Sequence, residues 1–188
     1  MTADPTQREV RALVAGHGGQ GVLTLGKLLC TGAMREGRNV TYLPSYGAEV
    51  RGGTANCQVV LSPEPIYSPL VEEADALVVL NQPSWDRFCG AVRPGGIVVA
   101  DTSGVDADAE ALADGVGLCS VPATETAAGL GSVQVANVLL LGALIARLPV
   151  VAPETCLDAV RELLGERKAH LLSVNEKAFE RGRQLAAS

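Results

Sequence analysis

The sequence predicts a three-layer α/β/α domain with a Rossmann-like, mixed but mostly parallel sheet and a helical C-terminal end. Three observations carry this. An apolar run, Leu13-Val14-Ala15, leads straight into Gly16-His17-Gly18-Gly19-Gln20-Gly21, and a helical pattern starts at once afterwards. Short apolar runs of strand length are punctuated by helical segments through the middle of the chain. Aromatic residues are only 3% of the chain, and the Val, Leu, Ala and Gly that dominate it suit layered α/β packing rather than a base-stacking platform.

Taken in order, Glu9 to Gly16 reads as the first strand. From Gln20 to Glu36, Val22, Leu25, Leu28, Leu29 and Ala33 recur at helical spacing, with Gly37 as the stop. Val40 to Leu43 reads as a second strand ending at Pro44, and Thr54 to Leu61 as a third. The link between these two is too short for a crossover helix, so an antiparallel pairing is expected somewhere in the sheet. Ala76 to Leu80 is a strand ending at Asn81-Gln82-Pro83, and Ser84 to Val92 a short helix. Pro94-Gly95-Gly96 is a turn before a strand at Ile97 to Ala100. Asp106 to Ala113 is expected as a short acidic helix and Val116 to Val121 as the last strand. Pro122-Ala123-Thr124 opens a helical region that is apolar from Val133 to Leu148, followed by amphipathic helices at Pro153 to Leu164 and Ala169 to Leu185. No repeat or linker divides the chain, so residues 1–188 read as one domain.

Composition excludes several classes. A net charge of −6 argues against a nucleic-acid backbone or an anionic membrane as partner. The longest apolar run, Val135 to Leu148, is interrupted by Asn137 and Gly142 and is too short to span a bilayer. No secretory signal is read at the N-terminus, and a cytoplasmic location is expected. The five cysteines, Cys30, Cys57, Cys89, Cys119 and Cys156, form no C-x-x-C pair. They read as buried thiols of a reducing compartment, with a metal or iron–sulfur site assembled from such scattered cysteines as the weakly supported alternative.

The chemistry is concentrated in two loops. Gly16, Gly18 and Gly21 match G-x-G-x-x-G between a strand and a helix, the context in which such a loop cradles phosphates at a helix N-terminus. A dinucleotide fold also wants an acidic residue at the end of the second strand, and that strand ends in Leu43-Pro44 instead. Phosphate or pyrophosphate binding and a purely structural turn both remain open. Lys27, two turns into the helix, is a candidate point charge for such a ligand, with a solvated helix lysine as the plainer reading. The second loop, Tyr46 to Gly53, packs the Tyr46 phenol, the Glu49 carboxylate and the Arg51 guanidinium ahead of Gly52 and Gly53, a mixture suited to a site or an interface. His17, Asn81, Asp101 and Asn137 are weaker candidates. No Ser-His-Asp or Cys-His arrangement can be assembled locally, so no catalytic residue and no metal ligand is assigned.

These motifs resemble a known family. Gly16-His17-Gly18-Gly19-Gln20-Gly21-Val22 and Pro44-Ser45-Tyr46-Gly47-Ala48-Glu49-Val50-Arg51-Gly52-Gly53-Thr54-Ala55-Asn56-Cys57 resemble the gamma subunit of 2-oxoacid:ferredoxin oxidoreductases. Leu80-Asn81-Gln82-Pro83, Pro94-Gly95-Gly96, Pro122-Ala123-Thr124 and the stretch from Asn175 to Gly182 fit the same family in the same order. One departure is Ala48, where many relatives carry Pro. The resemblance implies a subunit of a complex that oxidatively decarboxylates a 2-oxoacid onto coenzyme A and reduces ferredoxin. In such complexes thiamine diphosphate sits between alpha and beta subunits, and iron–sulfur clusters belong to other chains or domains. The gamma domain is associated with coenzyme A binding and assembly. Gly16, Gly18, Gly19, Gln20, Gly21 and Lys27, with Tyr46, Glu49, Arg51, Gly52 and Gly53, become the expected coenzyme A-binding set. The second loop looks most like 2-oxoglutarate enzymes, with branched-chain 2-oxoacid enzymes next. The isolated chain is expected to be inactive. Two other functions stand beside this one: a free-standing Rossmann-like dinucleotide-binding oxidoreductase, and an assembly scaffold whose glycine loop binds nothing.

Overall fold

The computed structural model describes residues 4–46, 54–165 and 170–187. Its elements in chain order are β1 (Val10–His17), α1 (Val22–Arg35), β2 (Asn39–Tyr46), β3 (Thr54–Ser62), β4 (Ala74–Val79), α2 (Gln82–Phe88), β5 (Val92–Asp101), β6 (Gly117–Val121), α3 (Ala123–Gly129), α4 (Ala136–Arg147), α5 (Pro153–Leu164) and α6 (Leu172–Ala187). The strands form one six-stranded sheet in the order β2-β3-β1-β4-β5-β6. Strand β3 is antiparallel to both its neighbours, and β1, β4, β5 and β6 are mutually parallel. The expected mixed, mostly parallel sheet is therefore present, with its antiparallel pairings on the two sides of β3.

Alternation along the strands splits the core in two. Ala12, Val14, Ala76, Val78 and Val99 face the larger cluster, built with α1, α4, α5 and α6. Leu13, Ala15, Leu77, Val79 and Val98 face the smaller one, covered by Trp85 of α2 and by Val105. Period-two alternation in strands buried on both faces explains why β4 reads as an unbroken apolar run. Helix α4 is buried from Ala136 to Ile145, lying between the sheet and α6.

Three expectations need correction. Strand β2 does not end at Pro44 but continues to Tyr46, with Pro44 opposite Cys57. It is an edge strand, where a missing N–H is tolerated. Pro94-Gly95-Gly96 does not precede its strand but lies inside β5: Ala74 pairs with Val92 and Ala76 with Ile97, so the extra residues form a bulge. The acidic helix from Asp106 to Ala113 is only a 3₁₀ turn at Ala109–Ala111, where Asp108 Oδ1 accepts the Glu110 N–H at 2.8 Å. An Asp that bonds its own following backbone favours a turn over continued helix. Smaller shifts are that the helix expected from Ser84 starts at Gln82, with Asn81 as its N-cap, and that the last helix starts at Leu172.

A buried arginine ties the lower end of the sheet together. Arg38 donates to the carbonyls of Arg8 (2.7 Å), Leu61 (3.1 Å) and Val150 (3.1 Å). Burial pushes its guanidinium pKa down.

Candidate functional site

The glycine loop follows β1 at the carboxyl end of the parallel strands, where open α/β sheets place ligands. Its glycines do different jobs. A Cβ on Gly16 would lie 2.7 Å from Gln20 Oε1 and 2.9 Å from Val22 Cγ2, so Gly16 is needed for close packing. Gly21 has φ +77 and its Cβ would meet the Asn137 side chain 2.5 Å away, so conformation and packing both exclude a side chain. Gly19, at φ +100, is needed for conformation alone. Gly18 is needed for neither: its φ is not positive, and among the described residues nothing lies within 4 Å of a Cβ built there.

Gln20 braces the loop. Its Oε1 accepts the His17 N–H (2.8 Å), and its Nε2 donates to the Leu80 carbonyl at the end of β4 (2.9 Å). Both ends of that amide are committed within the chain. His17 itself is exposed, with Nδ1 2.9 Å from the Gly18 carbonyl. Gly21 is the N-cap of α1, and no side chain caps this helix, so its first N–H groups and positive dipole end face the loop.

A cavity of about 410 Å³ opens beside Gly19 and Gly21. Its walls are aliphatic: Leu28 of α1, Val138 of α4, and Val160 and Leu164 of α5. Two buried amides line it. Asn137 Nδ2 donates to the Gly21 carbonyl at 3.3 Å, while its Oδ1 accepts the Val138 N–H at 2.9 Å. Asn175 Nδ2 donates to the Leu171 carbonyl at 2.8 Å. Asn137, one of the weaker candidates from the sequence, holds the loop while lining the cavity. Asn175 was not singled out for chemistry. Its signal is legible in retrospect, since Asn175 shares spacing i, i+3, i+4, i+7 with the buried Ala178, Phe179 and Gly182 on the inward stripe of α6.

Lys27 is exposed and does not line this cavity. It borders an adjoining crevice with Leu28, Thr31, Glu162 and Leu163, of which Leu28 and Leu163 also line the cavity. Tyr46 closes β2 opposite Ala55, and Thr54 opens β3 opposite His17, so the ends of the second loop are anchored beside the glycine loop. Glu49, Arg51, Gly52 and Gly53 lie outside the described residues.

The other strand-end candidates are structural. Asn81 Oδ1 accepts the Ser84 N–H at 3.0 Å. Asp101 accepts from the backbone of Ser103, Ala123 and Thr124 and from Thr124 Oγ1 (2.5 Å), capping α3. Among the described residues no group of three or more His, Cys, Asp or Glu is placed to hold a metal ion. The cysteines are free thiols, and four are buried. Burial pushes Cys30, Cys57 and Cys156 up to about 12. No described helix is long and apolar enough to cross a membrane.

The topology weakens the dinucleotide reading further. In that fold the second strand lies beside the first, whereas here β3 separates β2 from β1.

Comparison with known proteins agrees with the resemblance read from the loops. The pyruvate ferredoxin/flavodoxin oxidoreductase profile matches residues 11–185, and the chain belongs to that family. It is 42% identical over 184 residues to ketoisovalerate oxidoreductase subunit VorA of Methanothermobacter marburgensis, covering 97% of this chain and 38% of that one. It therefore spans about two fifths of the length of the first curated relatives it matches. It is 32% identical to 2-oxoglutarate synthase subunit KorC of Methanocaldococcus jannaschii, covering 96% of this chain and 94% of that one. Among solved structures, it superposes on the keto/oxoacid ferredoxin oxidoreductase gamma subunit of Geobacter sulfurreducens with a TM-score of 0.79 at 28% identity, covering 95% and 98% of the two chains. It also matches 2-oxoglutarate:ferredoxin oxidoreductase of Magnetococcus marinus, a structure with 2-oxoglutarate, coenzyme A and succinyl-CoA bound. There the TM-score is 0.86 at 26% identity, covering 96% of this chain and 31% of that one.

Proposed function

We propose that this chain is the gamma component of a thiamine-dependent 2-oxoacid:ferredoxin oxidoreductase and binds coenzyme A at its glycine loop. The observation that carries the reading is Gly18, a glycine demanded by neither backbone conformation nor packing among the described residues. A loop that keeps such a position bare beside an uncapped helix N-terminus suits the close approach of a diphosphate to the backbone. The Magnetococcus relative with coenzyme A bound supports this choice of ligand.

The overall reaction converts a 2-oxoacid and coenzyme A to an acyl-CoA and CO₂, passing two electrons to ferredoxin. Thiamine diphosphate, bound between alpha and beta partner subunits, supplies the decarboxylation chemistry, and iron–sulfur clusters on other chains carry the electrons. The work of this chain is binding and orientation. Backbone N–H groups at Gly18, Gly19 and the start of α1 meet the diphosphate, Gln20 and Asn137 hold the loop in shape, and Lys27 adds positive charge at the edge. Tyr46, Glu49, Arg51, Gly52 and Gly53 belong to the second loop, anchored at the same end of the sheet, and are assigned to the coenzyme or to the partner surface. The complex works in the cytoplasm.

The VorA and KorC relatives are named for ketoisovalerate and 2-oxoglutarate, and the greater identity is to the former. Both belong in the assay. Purified chain alone should reduce no ferredoxin with either 2-oxoacid, while mixing with its alpha and beta partners should yield ferredoxin reduction that requires coenzyme A. Turnover by the isolated chain would contradict the proposal.

A further inference from the structure

We propose that the chain carries a second binding site, at the opposite end of the sheet from the glycine loop, for a small organic dianion: a phosphate monoester or a dicarboxylate. The parallel strands β1, β4 and β5 begin at that end. Residues of the N-terminal segment, the β5 bulge and the end of α4 line a cavity of about 560 Å³ there. That volume lies within the range of small-molecule sites, roughly 300–1,000 Å³. Three guanidinium groups line it: Arg8 ahead of β1, Arg93 of β5, and Arg147 in the last turn of α4.

Among the described residues a single carboxylate, Asp75, lines the cavity with these three cations. Asp75 is buried near the start of β4, and one of its oxygens accepts from Arg8 Nη1 at 2.6 Å and from Arg93 Nε at 2.9 Å. Its other oxygen accepts the Arg11 N–H at 2.7 Å, so both are committed. Arg147 makes no ion pair among the described residues, and its hydrogen bond to the Ala186 carbonyl is long, at 3.5 Å. The helix dipole explains a cation in the last turn of α4, but not three guanidinium groups around one cavity. Neighbouring carboxylates are placed elsewhere. Glu9 pairs with Arg11 at 2.7 Å, and Glu72 and Glu73 line an adjoining crevice that shares only Arg8, Asp75 and Arg93 with the cavity. Three guanidinium charges against one carboxylate leave the cavity positive by two, in a chain whose net charge is −6. A cleft lined by one sign of charge concentrates ions of the other, and guanidinium forks match the paired oxygens of phosphate and carboxylate groups. Ile97, Leu148 and Pro149 add an apolar wall, which suits the carbon body of an organic anion.

The test is thermal unfolding and calorimetric titration of the full chain with phenyl phosphate, glutarate and inorganic phosphate, ionic strength being matched with sodium chloride. A ligand bound only to the folded chain raises its melting temperature in a saturable way. Phenyl phosphate or glutarate should do so at millimolar concentration, with inorganic phosphate about tenfold weaker. Arg147→Gln should weaken binding of the organic anion about tenfold through loss of a charge-assisted contact. Its melting temperature without ligand should equal that of wild type, because Arg147 is exposed. Gly18→Ala should leave the response unchanged. No saturable shift beyond that of matched sodium chloride with either organic anion would overturn the site, as would equal affinity in wild type and Arg147→Gln. Loss of the response in Gly18→Ala would move the binding to the glycine loop and overturn it too. Inorganic phosphate binding as tightly as phenyl phosphate would overturn the role of the apolar wall.

Discussion

Gly182 of α6 lies directly against the backbone of Leu139 in α4, so closely that a Cβ on Gly182 would overlap the Leu139 carbonyl oxygen. The contact is reciprocated at Gly142, whose Cβ would overlap the Phe179 carbonyl. Two helices can approach this closely only where side chains are absent. This crossing holds α6, and with it Asn175, against the wall of the cavity.

Gly182→Ala should therefore destabilise the chain strongly. The obstacle is backbone rather than the end of a flexible side chain, so the loss should reach the upper part of the overpacking range, about 3 kcal/mol. Urea denaturation of the purified chain measures it, and a change below about 0.5 kcal/mol would mean that the helices do not cross here.

Arg38→Lys should cost about 2 kcal/mol although charge is kept. The guanidinium fork reaches three carbonyls from the N-terminal segment, β3 and the α4–α5 connection, and a single ammonium cannot span them. Denaturant midpoints of Arg38→Lys and wild type, compared at equal slope, give the difference.

Stability should fall at alkaline pH. Three thiols have folded pKa values raised from 9.0 to about 12 by burial, so between these limits the native state holds protons that the unfolded state has released. Their stabilising contribution is complete below pH 9 and declines as pH rises toward 12. The urea midpoint should accordingly drop between pH 8.5 and pH 10.5. The same burial predicts that Cys89, the half-buried thiol, is alkylated first in the native chain at pH 8. Peptide mapping after brief iodoacetamide treatment checks the order.

Much of the fold was legible because its signals are local. The strand–glycine–helix unit, the apolar runs of β4 and β5, and the amphipathic α5 follow from periodicity and turn residues within one window. What local pattern missed depends on neighbours. Pro44 reads as a stop, yet it is tolerated because β2 happens to be an edge strand. Pro94-Gly95-Gly96 reads as a turn, yet pairing with β4 turns it into a bulge. The site was legible on the same terms. The glycine loop announces itself, but only the folded chain separates Gly16 and Gly21, which packing requires, from Gly18, which it does not. Asn175 stands far from the loop in sequence and joins the cavity through the α4–α6 crossing.

That distinction among glycines gives the most direct test of coenzyme A binding at the loop. Gly18→Ala should leave thermal stability within about 0.5 kcal/mol of wild type, because the added methyl meets nothing among the described residues. In the assembled complex the same substitution should raise KM for coenzyme A about tenfold or more, with KM for the 2-oxoacid unchanged. An unchanged KM for coenzyme A in a stably folded Gly18→Ala complex would show that the loop is structural and contradict the proposal.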